Sequence, residues 1–146
     1  MAKPIPAGYH TVQPYLYFKN SDEAIAFYSK VFGATERMRM PDKDGRIMHA
    51  EINIGDSCIM MADENPAVGA YSTEHFGGAP MSLMIYVDDC DAVYKGALEA
   101  GAKSLREPAD QFYGDRMAGV ADPFGFQWWI GTHIKDVSME ELMQHA

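Results

Sequence analysis

Asn20–Ala34 reads NSDEAIAFYSKVFGA and Asp88–Ala102 reads DDCDAVYKGALEAGA, and the likeness of these two stretches decides the fold. In the first, Ala24, Phe27, Tyr28 and Val31 recur at helical spacing; in the second, Ala92 or Val93, Ala97 and Ala100 do so. Each helix has its own start signal. Asn20 with Glu23 three residues later is a capping-box pattern, and Asp88 and Asp89 can cap the second helix. Each ends in Gly-Ala, and the two glycines, Gly33 and Gly101, stand 68 residues apart in a chain of 146, so half the chain repeats the other half.

Outward from the helices the period falls from 3.6 to 2. A β-prone run precedes each helix: Thr11–Phe18 (TVQPYLYF) and Met81–Val87 (MSLMIYV). Three strand-like runs follow the first helix, Thr35–Met40, Arg46–Ile54 and Ser57–Met61, separated by PDKDG and Gly55-Asp56. Lys103–Arg106, Asp115–Ala121 and Phe126–Ile130 repeat the order, with a loop holding Pro108 and Gly114 and the turn Asp122-Pro123-Phe124-Gly125 between them. The prediction is an α+β fold of two βαβββ units, about 9–62 and 81–131, in which each helix covers one face of its sheet. Residues 63–80, DENPAVGAYSTEHFGGAP, form a linker or a lid, and Ser138 with Glu141 starts a tail helix over 138–145. The length suits one domain.

With 47% hydrophobic and 23% charged residues, the chain can bury a core and does not read as disordered. Its net charge of −9 repels phosphate backbones and anionic lipid, so neither nucleic acid nor membrane is an expected partner. The charge is spread without an acidic block and reads as a solvated surface, with a faint preference for neutral or cationic ligands. Cys58 and Cys90 are too few and too far apart for a disulfide framework or a CxxC motif, and read as free thiols. Without an apolar stretch of signal-peptide or membrane-spanning length, a cytoplasmic location is expected.

EAIAFYSKVFGA, IGDSCIMMAD, VDD and DPFGFQWW, taken in this order with the duplication, resemble the vicinal-oxygen-chelate superfamily of glyoxalases, bleomycin-resistance proteins and extradiol dioxygenases. The first and last, with HIKDVSMEEL in the tail, look most like its PhnB-like branch. The resemblance implies units that curl into half-barrels, an eight-stranded mixed sheet around a shared concave cavity, and a homodimer.

Alternation assigns the faces. In Arg46–Ile54, Met48, Ala50, Ile52 and Ile54 should lie under a helix, leaving Ile47, His49, Glu51 and Asn53 on the other side, which the resemblance makes the cavity. By the same parity Gln13, Tyr15 and Tyr17, and Ser82, Met84 and Tyr86, line it. Metal-dependent members of the superfamily hold one divalent ion with His, Gln or Glu at four positions, which fall here on Gln13, Met60, Ser82 and Trp129. Only Gln13 is a permitted ligand. A thioether, a neutral hydroxyl and an indole do not hold a hard divalent ion, whereas an indole offers a flat apolar wall and one N–H. No cofactor is therefore expected.

Other chemistries stay open. His49 and Glu51, two apart on one strand, can form a displaced metal site with Gln13, or an acid–base pair, or simply hydrogen-bond within the fold. Arg116 can grip a ligand anion or pair with Asp115 or another acid. Cys58 can be a nucleophile beside His49 or an inert buried thiol. His10, His75, His133 and His145 read as surface residues, His75 also as part of a lid, and most strand methionines, Met117 among them, as core. The expected function is metal-independent binding of a small apolar or aromatic ligand by Gln13, Tyr15, Tyr17, His49, Glu51, Met60, Ser82, Met84, Tyr86, Arg116 and Trp129. The alternatives are a lyase or dioxygenase-like enzyme using a divalent metal or the acid–base pair at His49 and Glu51, and a dimer with a vestigial pocket.

Overall fold

The computed structural model describes residues 2–145. The chain divides into two compact units, Met1–Gly77 and Gly78–Ala146. The first runs β1 (Tyr15–Phe18), α1 (Ser21–Phe32), β2 (Thr35–Pro41), β3 (Ile47–Ile54) and β4 (Ser57–Asp63). A 3-10 turn at Pro66–Val68 and the short α2 (Thr73–Phe76) follow, so the expected linker carries structure of its own. The second runs β5 (Ser82–Tyr86), α3 (Cys90–Glu99), β6 (Lys103–Asp110), β7 (Asp115–Ala121), β8 (Gln127–His133) and α4 (Met139–Met143). Among the described residues no helix is long and apolar enough to cross a membrane.

The eight predicted strands form two four-stranded mixed sheets, ordered β1-β4-β3-β2 and β5-β8-β7-β6. β1 pairs with β4, and β5 with β8, in parallel; the remaining pairs are antiparallel. The helix starts form as their sequence signals predict: the Asn20 side chain accepts from the Glu23 N–H, that of Asp89 from Ala92, and that of Ser138 from Glu141. Gly33 ends α1 with φ 69°, a left-handed conformation that costs glycine little.

The core of the first unit lies between α1 and one face of its sheet, where Ala24, Phe27 and Tyr28 meet Leu16, Phe18, Ala50, Ile52, Ile59 and Met61, all buried. Burying each of the larger side chains is worth about 1.5–3 kcal/mol. In the second unit Cys90 and Ala97 of α3 cover Ala118, Val120, Trp128 and Ile130. Both cysteines are free and buried, and burial pushes both thiols up, which disfavours the nucleophilic form of Cys58.

Three details differ from the alternation in the sequence, and each has a local cause. Pro14 brings no N–H to the ladder, and β1 begins only at Tyr15, so Gln13 lies outside the strand. A register shift between Met40 and Pro41 reverses the parity at the start of β3, leaving Ile47 buried and Met48 exposed. β6 continues through Pro108 to Asp110, because it is the edge strand of its sheet and is irregular at that point.

Candidate functional site

In each unit the sheet face away from the helix carries the polar and half-exposed side chains. On the first, the row across the strands is Tyr15, Met60, Glu51, Met38, each the register partner of the next. On the second it is Met84, Trp129, Gly119, Arg106. The rows are equivalent positions of the repeat with different contents.

Glu51 is the centre of the first face. Only 4% of it is exposed, yet it accepts hydrogen bonds from the hydroxyl of Tyr9 and, at 2.7 Å, from His49 Nε2. Arg37 Nε stands 3.6 Å from the same carboxylate, its guanidinium 4.4 Å over the Tyr9 ring, and it donates to the Gly8 carbonyl at 3.0 Å. Burial works to raise the Glu51 carboxyl, but the bonds from Tyr9 and His49 and the charges of His49 and Arg37 outweigh it and hold the group below its ordinary value. The other ring nitrogen of His49, Nδ1, lies 2.8 Å from the Tyr15 hydroxyl. Tyr15 is itself shifted upward, first by burial and then by Tyr17 and Glu51. Tyr15, His49, Glu51 and Tyr9 thus form one continuous chain of hydrogen bonds.

Tyr9 and Arg37 were not legible as members of this cluster. Arg37 reaches Glu51 because the register slips between Glu36 and Met38, placing an extra residue on β2. Tyr9 belongs to an irregular segment with no periodicity.

Beside this chain, still within the first unit, lies a cavity of about 570 Å³. Tyr15 and Tyr17 form an aromatic wall, and Ile47, Met48, Ala62 and Val68 contribute apolar surface. Its charged lining groups are already engaged. Asp42 accepts from the backbone N–H groups of Asp44 and Arg46, Asp63 from those of Ser21 and Ile47, and Arg46 donates to the Glu64 carbonyl.

On the second face the indole N–H of Trp129 donates to Ser82 Oγ at 3.1 Å, and Arg106 lies 5.8 Å over the ring. Met84 and Tyr86 are exposed beside it. The Tyr86 hydroxyl donates to Asp115, which also receives His133 Nδ1 at 2.7 Å; His133 Nε2 meets Asp136 at 2.7 Å. Those carboxylates, Asp136 first, raise His133 above its ordinary value. His133 is thus an organising residue at the end of β8, which its isolated place in the sequence did not indicate.

Arg116 lies apart from this face. It alternates with Asp115 and Met117 on β7, and its guanidinium grips Asp91 of α3 through Nε at 2.6 Å and Nη2 at 3.0 Å, and Asp110 through Nη1 at 2.9 Å. The intramolecular pairing expected as the alternative is the arrangement found, with Asp91 and Asp110 in place of Asp115.

The residues present do not fit the divalent ion of metal-dependent relatives. In the first unit Gln13 Oε1 accepts the His10 backbone N–H at 2.5 Å, and the other position is the thioether of Met60. In the second, Ser82 and Trp129 are bonded to each other. Among the described residues no group of three or more His, Cys, Asp or Glu is arranged to hold a metal ion.

Comparison with known proteins gives these faces a lineage. Mb0911c, an uncharacterised protein of Mycobacterium bovis, is 36% identical over 134 residues, covering 90% of this chain and 88% of the relative. The crystal structure of PA1353 from Pseudomonas aeruginosa matches with a TM-score of 0.68 at 25% identity, covering 86% of this chain and 99% of that one. The PhnB protein of Bacillus cereus shares the fold at a TM-score of 0.67 and 16% identity, covering 84% of this chain and 99% of that one. Residues 9–130 match the model of the glyoxalase/bleomycin resistance protein/dioxygenase superfamily, and the chain belongs to that superfamily.

Proposed function

We propose that the protein binds a small apolar or aromatic molecule without a divalent metal. The cavity of the first unit carries this reading: an aromatic wall of Tyr15 and Tyr17, apolar surface opposite, and charged lining groups already bonded to backbone. The bond between Trp129 and Ser82 supports the metal-free part, since an indole and an occupied hydroxyl stand at two of the positions where the resemblance implies metal ligands.

A thermal-shift screen of neutral and cationic aromatic compounds tests the reading. A ligand present at one hundred times its Kd stabilises the fold by ~2.7 kcal/mol, a shift of several degrees. A true ligand should lose affinity in Tyr17→Ala. If a broad library gives no shift, the pocket is vestigial. Elemental analysis of the purified protein tests the other half, and a stoichiometric transition metal that disappears in His49→Ala would overturn it.

The chain from Tyr15 through His49 to Glu51 favours a second reading, in which the imidazole moves a proton to or from a bound substrate while the buried carboxylate orients it. Turnover abolished by His49→Gln, with ligand affinity retained, would support catalysis over binding alone.

A further inference from the structure

We infer that the Tyr15 hydroxyl determines which ligands the cavity of the first unit accepts, presenting an oxygen acceptor and so selecting aromatic molecules that carry an N–H or O–H donor. The inference rests on the proposed binding function and adds a polarity to it.

The direction follows from Glu51 outward. The Glu51 carboxylate receives two donors, the Tyr9 hydroxyl and His49 Nε2. An ionised carboxylate only accepts, so Nε2 of His49 carries the hydrogen. In a neutral imidazole the other nitrogen, Nδ1, is then the acceptor, and it faces the Tyr15 hydroxyl at 2.8 Å. With His49 neutral, Tyr15 therefore donates its one hydrogen to it. What remains on the Tyr15 oxygen for a ligand is lone-pair density.

The other charged lining groups each have a backbone partner already. Asp42, Asp63 and Arg46 are bonded to backbone groups, and the Asn65 side chain accepts the Ala67 N–H. Among the described residues no hydrogen bond fixes the Tyr17 hydroxyl, so it can turn to donate or accept and imposes no preference. Tyr15 differs because Glu51, buried two residues along β3 from His49, fixes the tautomer from behind.

Indole and benzofuran make the test, since they have nearly the same shape and differ in an N–H against an ether oxygen. Their dissociation constants are measured by ligand-observed NMR against wild type, Tyr15→Phe and Glu51→Gln, with circular dichroism to establish that each variant is folded. Indole should bind wild type roughly threefold to tenfold more tightly than benzofuran, the worth of one hydrogen bond. The preference should vanish in Tyr15→Phe. It should shrink in Glu51→Gln, where the amide can donate to the imidazole and reverse the tautomer, an outcome that a purely structural Glu51 would not produce. If both probes bind wild type equally, or if the preference survives in Tyr15→Phe, the assigned polarity is overturned and the binding function stands. If neither probe binds wild type, the binding function itself fails for this cavity, and the inference falls with it.

Discussion

The indole of Trp129 occupies the space that a side chain on Gly119 would need: a Cβ built there would lie 2.3 Å from Cζ3 and 2.7 Å from Cε3. The two are register partners on β8 and β7, so the ring lies flat across its neighbour strand. Gly119→Ala should therefore force the indole off the sheet and cost about 1–3 kcal/mol, as overpacking does. Chemical denaturation measures the loss, and a changed emission maximum in a Trp128→Phe background reports the displaced ring.

Trp128, on the helix side of the same strand, depends on a carboxylate. Asp122 accepts its indole N–H at 2.9 Å through one oxygen and the backbone N–H groups of Phe124 and Phe126, both at 2.9 Å, through the other. Asp122→Ala would leave these donors without their acceptor in a buried site, at a cost of about 3 kcal/mol, while Asp122→Asn should cost less. Urea midpoints of the two variants give the comparison.

The depressed Glu51 carboxyl ties stability to acid. Its folded value lies below its unfolded value, so its contribution is present above the unfolded value and is lost as pH falls through the folded one. Wild type should lose stability over that acidic interval more steeply than Glu51→Gln. Melting curves between pH 3 and pH 7 for both proteins check the slope.

His133 gives the opposite sign. Asp136 and Asp115 raise its folded value above its unfolded value of ~6.5, so its stabilisation is complete below the latter and is lost as pH rises through the former. Both partners should matter to an NMR titration of the His133 ring, which Asp136→Asn and Asp115→Asn should each move downward. A His133→Gln variant should remove the alkaline limb of the stability profile while leaving the acidic limb in place.

How far the sequence could be read depended on distance along the chain. Caps at Asn20, Asp89 and Ser138, the stop at Gly33 and the order of the strands are local chemistry, and all are found where their signals lie. The face assignments of Tyr15, Glu51 and Met84 follow from simple alternation. Alternation also puts Arg116 with Ala118 and Val120, on the helix side, so its place away from the cavity face was within reach of the same argument. Arg37 was not, because a bulge is an extra residue whose presence only the partner strand reveals. Tyr9 and Asp91 were out of reach for a different reason: their partners, Glu51 and Arg116, are 42 and 25 residues away, and no short-range pattern encodes such pairs.

The repeat places Glu51 and Gly119 at corresponding points of their sheets, each beside the residue that faces it from the last strand of its unit, Met60 in one and Trp129 in the other. Duplicated halves that began alike have specialised in opposite directions at this point, one toward a buried charge with its retinue of donors, the other toward a ring lying on bare backbone. The two halves have ceased to be interchangeable spare parts. A gene carrying the first half twice would encode two carboxylate clusters and no indole wall, and one carrying the second half twice would encode two indole walls and neither Tyr15 nor the carboxylate cluster beside it.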